Sequence, residues 1–425
     1  MFEWKPFSDK QIRVLSWWLP RSPHHKLDGI ICDGSIRSGK TVCMGFSYVL
    51  WAMHSFDGCN FAIAGKTVGS VRRNVTADLT AMLTGAGFKV RELVSRGCID
   101  VSRGTVSNRF YLFGGKDESS AALIQGVTLA GCLFDEAALM PKSFVEQATA
   151  RCSVKGAKLW FNCNPEGPAH WFKREWIDKA AEKRMLRLHF TMEDNLSLSP
   201  STRERYERMY TGVFYDRFIL GKWSAADGLI YDMFDRSRHV LHTLPALDER
   251  APAYISCDYG TLNACVFLMW RKAVDGRWIC VKEYYYSGRD KGVLRTDEEY
   301  AKDMQAFIGN ERIRYVIADP SAASFITRLK RDSLPVLGAK NDVMTGIHRV
   351  SSLLHGGDIA FMDCCRNTID EFGSYIWDKK AADRGEDAPM KQSDHAMDAV
   401  RYFVNTVLAA ERRVGTSGLR RMIGI

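Results

Sequence analysis

The chain has 425 residues, 46% of them hydrophobic and 26% charged, which are globular proportions and exclude a disordered or fibrous protein. That length exceeds one ordinary core, so two to three domains are expected. A formal charge of +9 favours a polyanionic partner or else serves solubility alone, and no run of about 18 apolar residues is present, so no membrane partner is expected.

The opening MFEWKPFSDK lacks the charged-then-apolar layout of a secretory leader, and the twelve cysteines include no C-x-x-C pair. A cytoplasmic protein with reduced core cysteines is the expectation. Phe7, Gln11, Leu15 and Trp18 share one helical face. Gln11 has two readings: a residue placed to read adenine, or a plain surface side chain.

Gly29 to Cys32 (GIIC) reads as a buried strand, and Lys40 to Phe56 as a helix. Between them GSIRSGKT fits the phosphate-loop pattern G-x-x-x-x-G-K-S/T at every fixed position. Strand, loop and helix in this order aim backbone N–H groups and the helix's positive end at one point, where phosphate oxygens belong. Gly34, Ser35, Ile36, Arg37, Ser38, Gly39, Lys40 and Thr41 are therefore candidate ATP contacts. Lys40 would reach the β and γ phosphates, and the Thr41 hydroxyl would help hold Mg²⁺. The plainer reading is a Gly-rich turn with a surface lysine.

A second strand follows at Asn60 to Gly65, then a helix from about Gly69 to Gly85 carrying Arg72 and Arg73. Those arginines either supply a charge-stabilising finger to a neighbouring subunit or form a solvated basic face. Gly97 to Gly114 carries hairpin signals. Gly131 to Ala137 (GCLFDEA) is an apolar strand ending in two acids. Asp135 at its carboxyl end is placed to share the Mg²⁺ of Thr41, and Glu136 to polarise the attacking water. Lys158 to Pro165 (KLWFNCNP) brings Asn162 and Asn164 to a strand tip, to sense hydrolysis or simply to form an Asn-Pro turn. Met185 to Thr191 reads as the last core strand, and a charged helix from Ser199 with Gly212, Gly221 and Gly228 after it reads as a compact linker ending near Arg250.

In the second half, YISCD delivers Asp258 at a strand end, two more strands follow at 264–270 and 277–286, and IRYVIAD delivers Asp319. SDHAMDAVRYFVNTVL reads as a helix with Asp394, His395 and Asp398 on one face. A strand meander, β/α units and a final helix in this order are what an RNase H-like nuclease core needs. Two hard cations about 4 Å apart require several carboxylates, one cation activating water and the other steadying the leaving oxygen.

Together these residues resemble the large terminase subunit of tailed bacteriophages, the motor that packages DNA into capsids. The likeness runs through GSIRSGKT, LFDEA and the softer RFILGKWSAADGLIYDMF to CDYG, IADP and DHAMDAVRYF, nearly the full length. It implies an α/β fold: a P-loop NTPase (RecA/ASCE-like) domain over 1–195, a small helical linker over 196–250, an RNase H-like α/β nuclease domain over 251–410 and a basic tail over 411–425. By the same resemblance Glu136 is the catalytic carboxylate of an ATPase, Asn164 lies in the motif coupling hydrolysis to movement, and Asp258, Asp319, His395 and Asp398 carry the nuclease Mg²⁺ or Mn²⁺. Arg37, Arg72 and Arg73 all remain candidates for the arginine that stabilises the transition state. The implied partners are double-stranded DNA, a small terminase subunit and the portal protein, with a homo-oligomeric ring on the procapsid in the host cytoplasm. The loop SGRDKG and the tail ERRVGTSGLRRMIGI would meet DNA or the portal, by phosphate contacts rather than base reading. The alternative is a P-loop ATPase whose second half binds DNA or assembles without cutting; a structural partner with decayed sites fits poorly with intact Lys40, Glu136, Asp258 and Asp319.

Overall fold

The computed structural model describes residues 5–392 and 394–410. They fall into two compact units: the first holds the chain to residue 208 with 213–225 and 383–386, the second 209–212, 226–382 and the chain from 387 on. The expected tail, 411–425, lies outside the described residues.

The first unit is built on strands β1 (Gly29–Gly34), β2 (Asn60–Gly65), β3 (Lys89–Leu93), β4 (Cys98–Arg103), β5 (Val106–Gly114), β6 (Gly131–Asp135), β7 (Lys158–Cys163) and β8 (Met185–Phe190). Their spatial order is β3-β4-β5-β2-β6-β7-β1-β8. From β5 to β8 every neighbouring pair is parallel, while β3 and β4 add an antiparallel edge. Parallel strands need crossovers that cover both faces, so their sequences are apolar throughout rather than alternating. Ile30 and Cys32 accordingly pack with Trp17, Tyr48 and Trp51 on one side, and Ile31 with Phe134 and Phe161 on the other. The Trp51 and Trp160 rings stand 4.6 Å apart, and Phe134 stacks on Phe161 at 4.7 Å. Each such buried aromatic contributes roughly 1.5–3 kcal/mol. Because β6, β7 and β1 are adjacent and parallel, their carboxyl ends open at one edge of the sheet, where ligand crevices form in such folds.

The second unit contains β9 (Val240–Leu241), β10 (Ala253–Asp258), β11 (Ala264–Lys272), β12 (Trp278–Ser287), β13 (Ile313–Ala318), β14 (Val336–Gly338) and β15 (Ile359–Met362), in the order β14-β13-β10-β11-β12-β15-β9. Strands β10 to β12 form an antiparallel meander; β13 runs parallel to β10, and β15 parallel to β12. Helices Asp297–Ile308 and Ala323–Arg331 bring Tyr300, Met304 and Phe325 into a core with Phe267 and Ile255. Helix His395–Phe403 lies against β10 and β11, with Phe403 stacked on Trp270 at 4.4 Å.

Residues 196–250 divide between the units. The helix Pro200–Met209 opens the stretch, 213–225 groups with the first unit, and 226–250 with the second. The reason is local: Tyr231 is buried against Phe372 and Tyr375, Ile230 N–H donates to the Tyr375 carbonyl at 2.9 Å, and β9 pairs with β15. All twelve cysteines are free thiols, nine of them buried and Cys364 alone exposed. The loop Ser287 to Gly292 forms a short helical turn, Gly288–Lys291. No described helix is long and apolar enough to cross a membrane.

Candidate functional site

The loop after β1 departs from regular backbone in several places. Gly34 (φ 136°) and Gly39 (φ 80°) take conformations that a side chain would oppose, and Arg37 (φ 55°) is one of four non-glycine residues with positive φ among the described residues. A Cβ on Gly34 would strike the Phe190 backbone, and one on Gly39 the Gln11 amide. The loop's first N–H groups are committed to protein, Ser35 to the Phe190 carbonyl and Ile36 to the Phe218 carbonyl, both at 2.9 Å. Lys40 is buried and folded back: its Nζ donates to the Ser35 carbonyl (2.6 Å), the Gly34 carbonyl (3.1 Å), Ser38 Oγ (3.1 Å) and Asn164 Oδ1 (3.2 Å). Burial lowers its pKa against the pull of nearby thiols and Asp33.

A cavity of about 520 Å³ opens over this loop, lined by residues 36–42 together with Asp135, Glu136, Asn162, Asn164 and Arg73. Thr41 Oγ1 donates to Asp135 Oδ1 at 3.2 Å, and Asn162 Nδ2 joins both, 2.8 Å from the hydroxyl and 2.6 Å from the carboxylate. Burial raises the Asp135 carboxyl, opposed by its hydrogen bonds from Asn162 and Thr41. Glu136, directly after β6, sits in the left-handed region (φ 58°, ψ 47°). Such a conformation costs about 1–3 kcal/mol and gathers at functional sites. Burial and the charge of Asp135 both push its carboxyl up.

The structure separates the three arginines. Arg37 Nε donates to the Tyr206 hydroxyl at 2.9 Å, its guanidinium lies over that ring, and its carbonyl accepts from Asn195. Arg72 pairs with Glu92 at 3.1 Å. Arg73, on a π-helical turn over Arg72–Thr76, lines the cavity, is exposed and has no ion pair or side-chain hydrogen bond among the described residues. Gln11 is buried rather than a surface residue: its side chain closes a capping box with Ser8, and it does not line the cavity. Gly34 and Ser35 do not line it either.

In the second unit β10 ends in Asp258, and Asp319 directly follows the parallel β13, so both stand at the carboxyl end of the sheet. His395 Nδ1 and Asp258 Oδ2 are 2.9 Å apart. Burial pushes Asp258 up to about 6, with the charges of Asp398 and Asp394 adding and His395 opposing. His395 is raised in turn by its bond to Asp258, against burial. Asp319 accepts from Ser321 N–H (2.7 Å), the Tyr402 hydroxyl (2.9 Å) and Asn341. Burial raises it, but these bonds outweigh burial and hold it below the usual range. Asp398 is taken by Arg401, Nη2 at 2.5 Å and Nε at 3.2 Å, and that guanidinium is buried. Each carboxylate thus has its own protein partner, and among the described residues no three His, Cys, Asp or Glu side chains gather tightly enough to hold a metal ion.

The family description "Terminase large subunit, T4likevirus-type, N-terminal" matches residues 31–238. The structure of the large terminase from a thermophilic bacteriophage is 56% identical to the chain, covers 95% of it and 100% of itself, and superposes with a TM-score of 0.89. The chain belongs to the terminase large subunit family. Structures of the same thermophilic phage's large terminase in complex with ADP and with ATP-gamma-S match it at 55% and 54% identity over the same shares of both chains, each with a TM-score of 0.86. No curated protein matches the chain.

Three residues of this terminase escaped the sequence reading. Glu371 is buried at the start of helix His395–Phe403, accepting N–H bonds from Ala396 (2.8 Å) and Met397 (3.2 Å) and the Tyr285 hydroxyl at 2.9 Å. Burial pushes it up to about 7 against those bonds. It comes from a distant helix, so no local pattern announces it. Tyr402 likewise reaches Asp319 only through the fold. Arg401 did have a signal, standing three residues after Asp398 on the same helical face.

Proposed function

We propose that the first unit is a P-loop, RecA/ASCE-like ATPase and the second an RNase H-like, metal-dependent endonuclease. In this reading the chain drives double-stranded DNA into a procapsid and cuts concatemers. It would work as a ring with the portal and small terminase subunit in the host cytoplasm. The observation that carries the ATPase reading is the single cavity joining Lys40, Thr41, Asp135, Glu136 and Arg73. The ADP and ATP-gamma-S complexes of the thermophilic phage's large terminase support a nucleotide there.

Lys40 would exchange loop carbonyls for β and γ phosphate oxygens, its charge then set against phosphate rather than peptide. Glu136, its carboxyl pushed upward, takes the proton of the water attacking the γ phosphorus. Asn164, bonded to Lys40, registers that exchange. Arg73 is the arginine placed to meet charge on the transferred phosphoryl group within the same chain. The donor set of Thr41 hydroxyl and Asp135 carboxylate fits Mg²⁺, which when bound would neutralise phosphate charge. Substitution of Lys40 or Glu136 by Ala should abolish ATP turnover; unchanged turnover would refute the motor reading.

For the nuclease, Asp258, Asp319 and Asp394 are the carboxylates that would have to draw together around a divalent pair, since as they stand they do not form a metal cluster. Asp394 occupies the N-cap of helix His395–Phe403 yet makes no capping bond, because Glu371 takes the first N–H groups. Its one ion pair among the described residues is with Lys391 at 3.7 Å. Asp398, expected as a ligand, is instead read as the counter-ion of Arg401, and His395 as the group that orients Asp258. Mg²⁺ or Mn²⁺ there would activate water and steady the leaving oxygen. The separate partners of these carboxylates favour, as second reading, a DNA-binding module that does not cut. Plasmid nicking by the full chain in Mg²⁺ or Mn²⁺, lost in Asp258→Ala, separates the two.

A further inference from the structure

A cavity of about 900 Å³ lies in the second unit where the approaches to β10 and β13 run side by side. Ala253 pairs with Ile313 at the amino ends of these parallel strands, so the cleft opens at the end of the sheet opposite Asp258 and Asp319. A strand of this length separates the two ends by roughly 20 Å. Arginines come to the cleft from both sides: Arg250 from the approach to β10, Arg312 from the approach to β13, and Arg314 from the start of β13, with Arg271 near the end of β11.

The charges do not cancel. Arg271 is buried and binds both glutamates of the cleft, Glu311 through Nη1 and Glu249 through Nη2 at 3.5 Å. Its Nε has no hydrogen-bond partner among the described residues. Four arginines against two glutamates leave the cleft with a net charge of +2, and the guanidinium groups of the exposed Arg250, Arg312 and Arg314 have no ion pair or hydrogen bond among the described residues. Three like charges around one concavity repel one another, and a bound polyanion relieves that. Guanidinium groups suit phosphate in particular, offering paired N–H donors to its oxygens. A docked peptide would want an apolar anchor pocket at the centre, whereas six of the twelve residues lining this cleft are charged.

We infer that this cleft is a phosphate-binding site, taking the backbone phosphates of a nucleic-acid strand or the phosphates of a free nucleotide. It is separate from both catalytic clusters and does not depend on their reading. On DNA it gives the second unit a grip at the end of the sheet away from the carboxylates, indifferent to base sequence.

The test uses the full chain and a fluorescein-labelled duplex of about 20 base pairs. The triple variant Arg250→Ala/Arg312→Ala/Arg314→Ala should bind at least tenfold more weakly at low salt. Its slope of log affinity against log salt should shrink by about three, one for each phosphate that the variant no longer neutralises. The triple Lys variant, keeping the charge, should retain most of that slope. ATP turnover without DNA should match wild type, which shows that the variant is folded and keeps this result apart from failure of the ATPase reading. A second arm measures fluorescent ADP on the Lys40→Ala background; loss there alone assigns the site to free nucleotide. Arg314→Glu, a single exposed change, should weaken binding in the same arm as the triple. Unchanged binding of both probes, or competition by polyglutamate with neither probe affected, overturns the inference.

Discussion

The Thr41 hydroxyl donates to the Asp135 carboxylate across 3.2 Å, although 94 residues separate the two in sequence. They meet because β7 lies between β1 and β6 and its Asn162 bonds to both. The acid after Asp135 therefore enters the cavity from a fixed and strained backbone. Glu136→Gln should lower ATP turnover by roughly 10²–10⁴-fold with nucleotide affinity little changed. Asp135→Asn should instead raise the Mg²⁺ needed for half-maximal turnover by about tenfold or more, since one hard oxygen charge is lost. Steady-state ATPase assays over a Mg²⁺ titration, with nucleotide affinity measured in parallel, distinguish the two effects.

Arg73 is expected to act within its own subunit. Arg73→Ala should cut turnover by roughly 10³-fold or more, whereas Arg72→Ala, which removes the pair with Glu92 and a bond to the Val94 carbonyl, should leave it near wild type. Mixing inactive Arg73→Ala with inactive Glu136→Gln chains gives the sharper answer. If the arginine works in cis, no subunit in the mixture has a complete site and turnover stays absent. Restored turnover would mean that Arg73 is donated across a subunit boundary.

Asp394 and Asp398 should part company. Asp398→Asn removes the counter-ion of a buried guanidinium, a change that costs roughly 3–5 kcal/mol where the pair is fully buried, and should lower the melting temperature markedly. Asp394→Asn should melt close to wild type yet lose plasmid nicking, as Asp258→Asn should. If Asp398→Asn is stable and inactive while Asp394→Asn still nicks, the helix presents the other acid to the metals.

Much of this was legible in the sequence. GIIC followed by GSIRSGKT announced a buried strand, a turn and a helix, and GCLFDEA an apolar strand closing on two acids, because parallel strands buried on both faces read as unbroken apolar runs. What stayed hidden depends on residues far apart in the chain coming together. Nothing near Arg37 tells that Tyr206 and Asn195 will hold it, and nothing near Arg73 tells that a π turn will aim it at the cavity. The two-residue β9 has no periodicity to detect and exists only because β15 offers it an edge. Glu371 reads as one acid among many until its helix docks at the start of the helix carrying His395.

Asp33, the residue before the phosphate loop, yields a prediction about acid stability. It is fully buried, bonded to Arg187 through Nε and Nη2 and to Trp223 Nε1, each at 3.0 Å, with His189 at 3.5 Å. Burial alone would raise its carboxyl, but the bonds from His189, Arg187 and Trp223 and the charge of Arg187 win and hold it well below the usual carboxylate range. A folded-state pKa below the unfolded value of about 3.9 means that the unfolded chain binds the proton first. The contribution is therefore complete above about pH 5 and is lost as the pH falls through the unfolded and then the folded value. Arg187 is 39% exposed, so solvent screens part of it. Asp33→Asn should melt below wild type at pH 7, and the gap should narrow steadily as the pH drops from about 5 toward 3. Because Asp33 ties β1 to β8 and to Trp223, nucleotide affinity should weaken along with stability. A melting-temperature gap that stays constant over that range would mean that packing, and not the carboxylate's charge, secures the base of the loop.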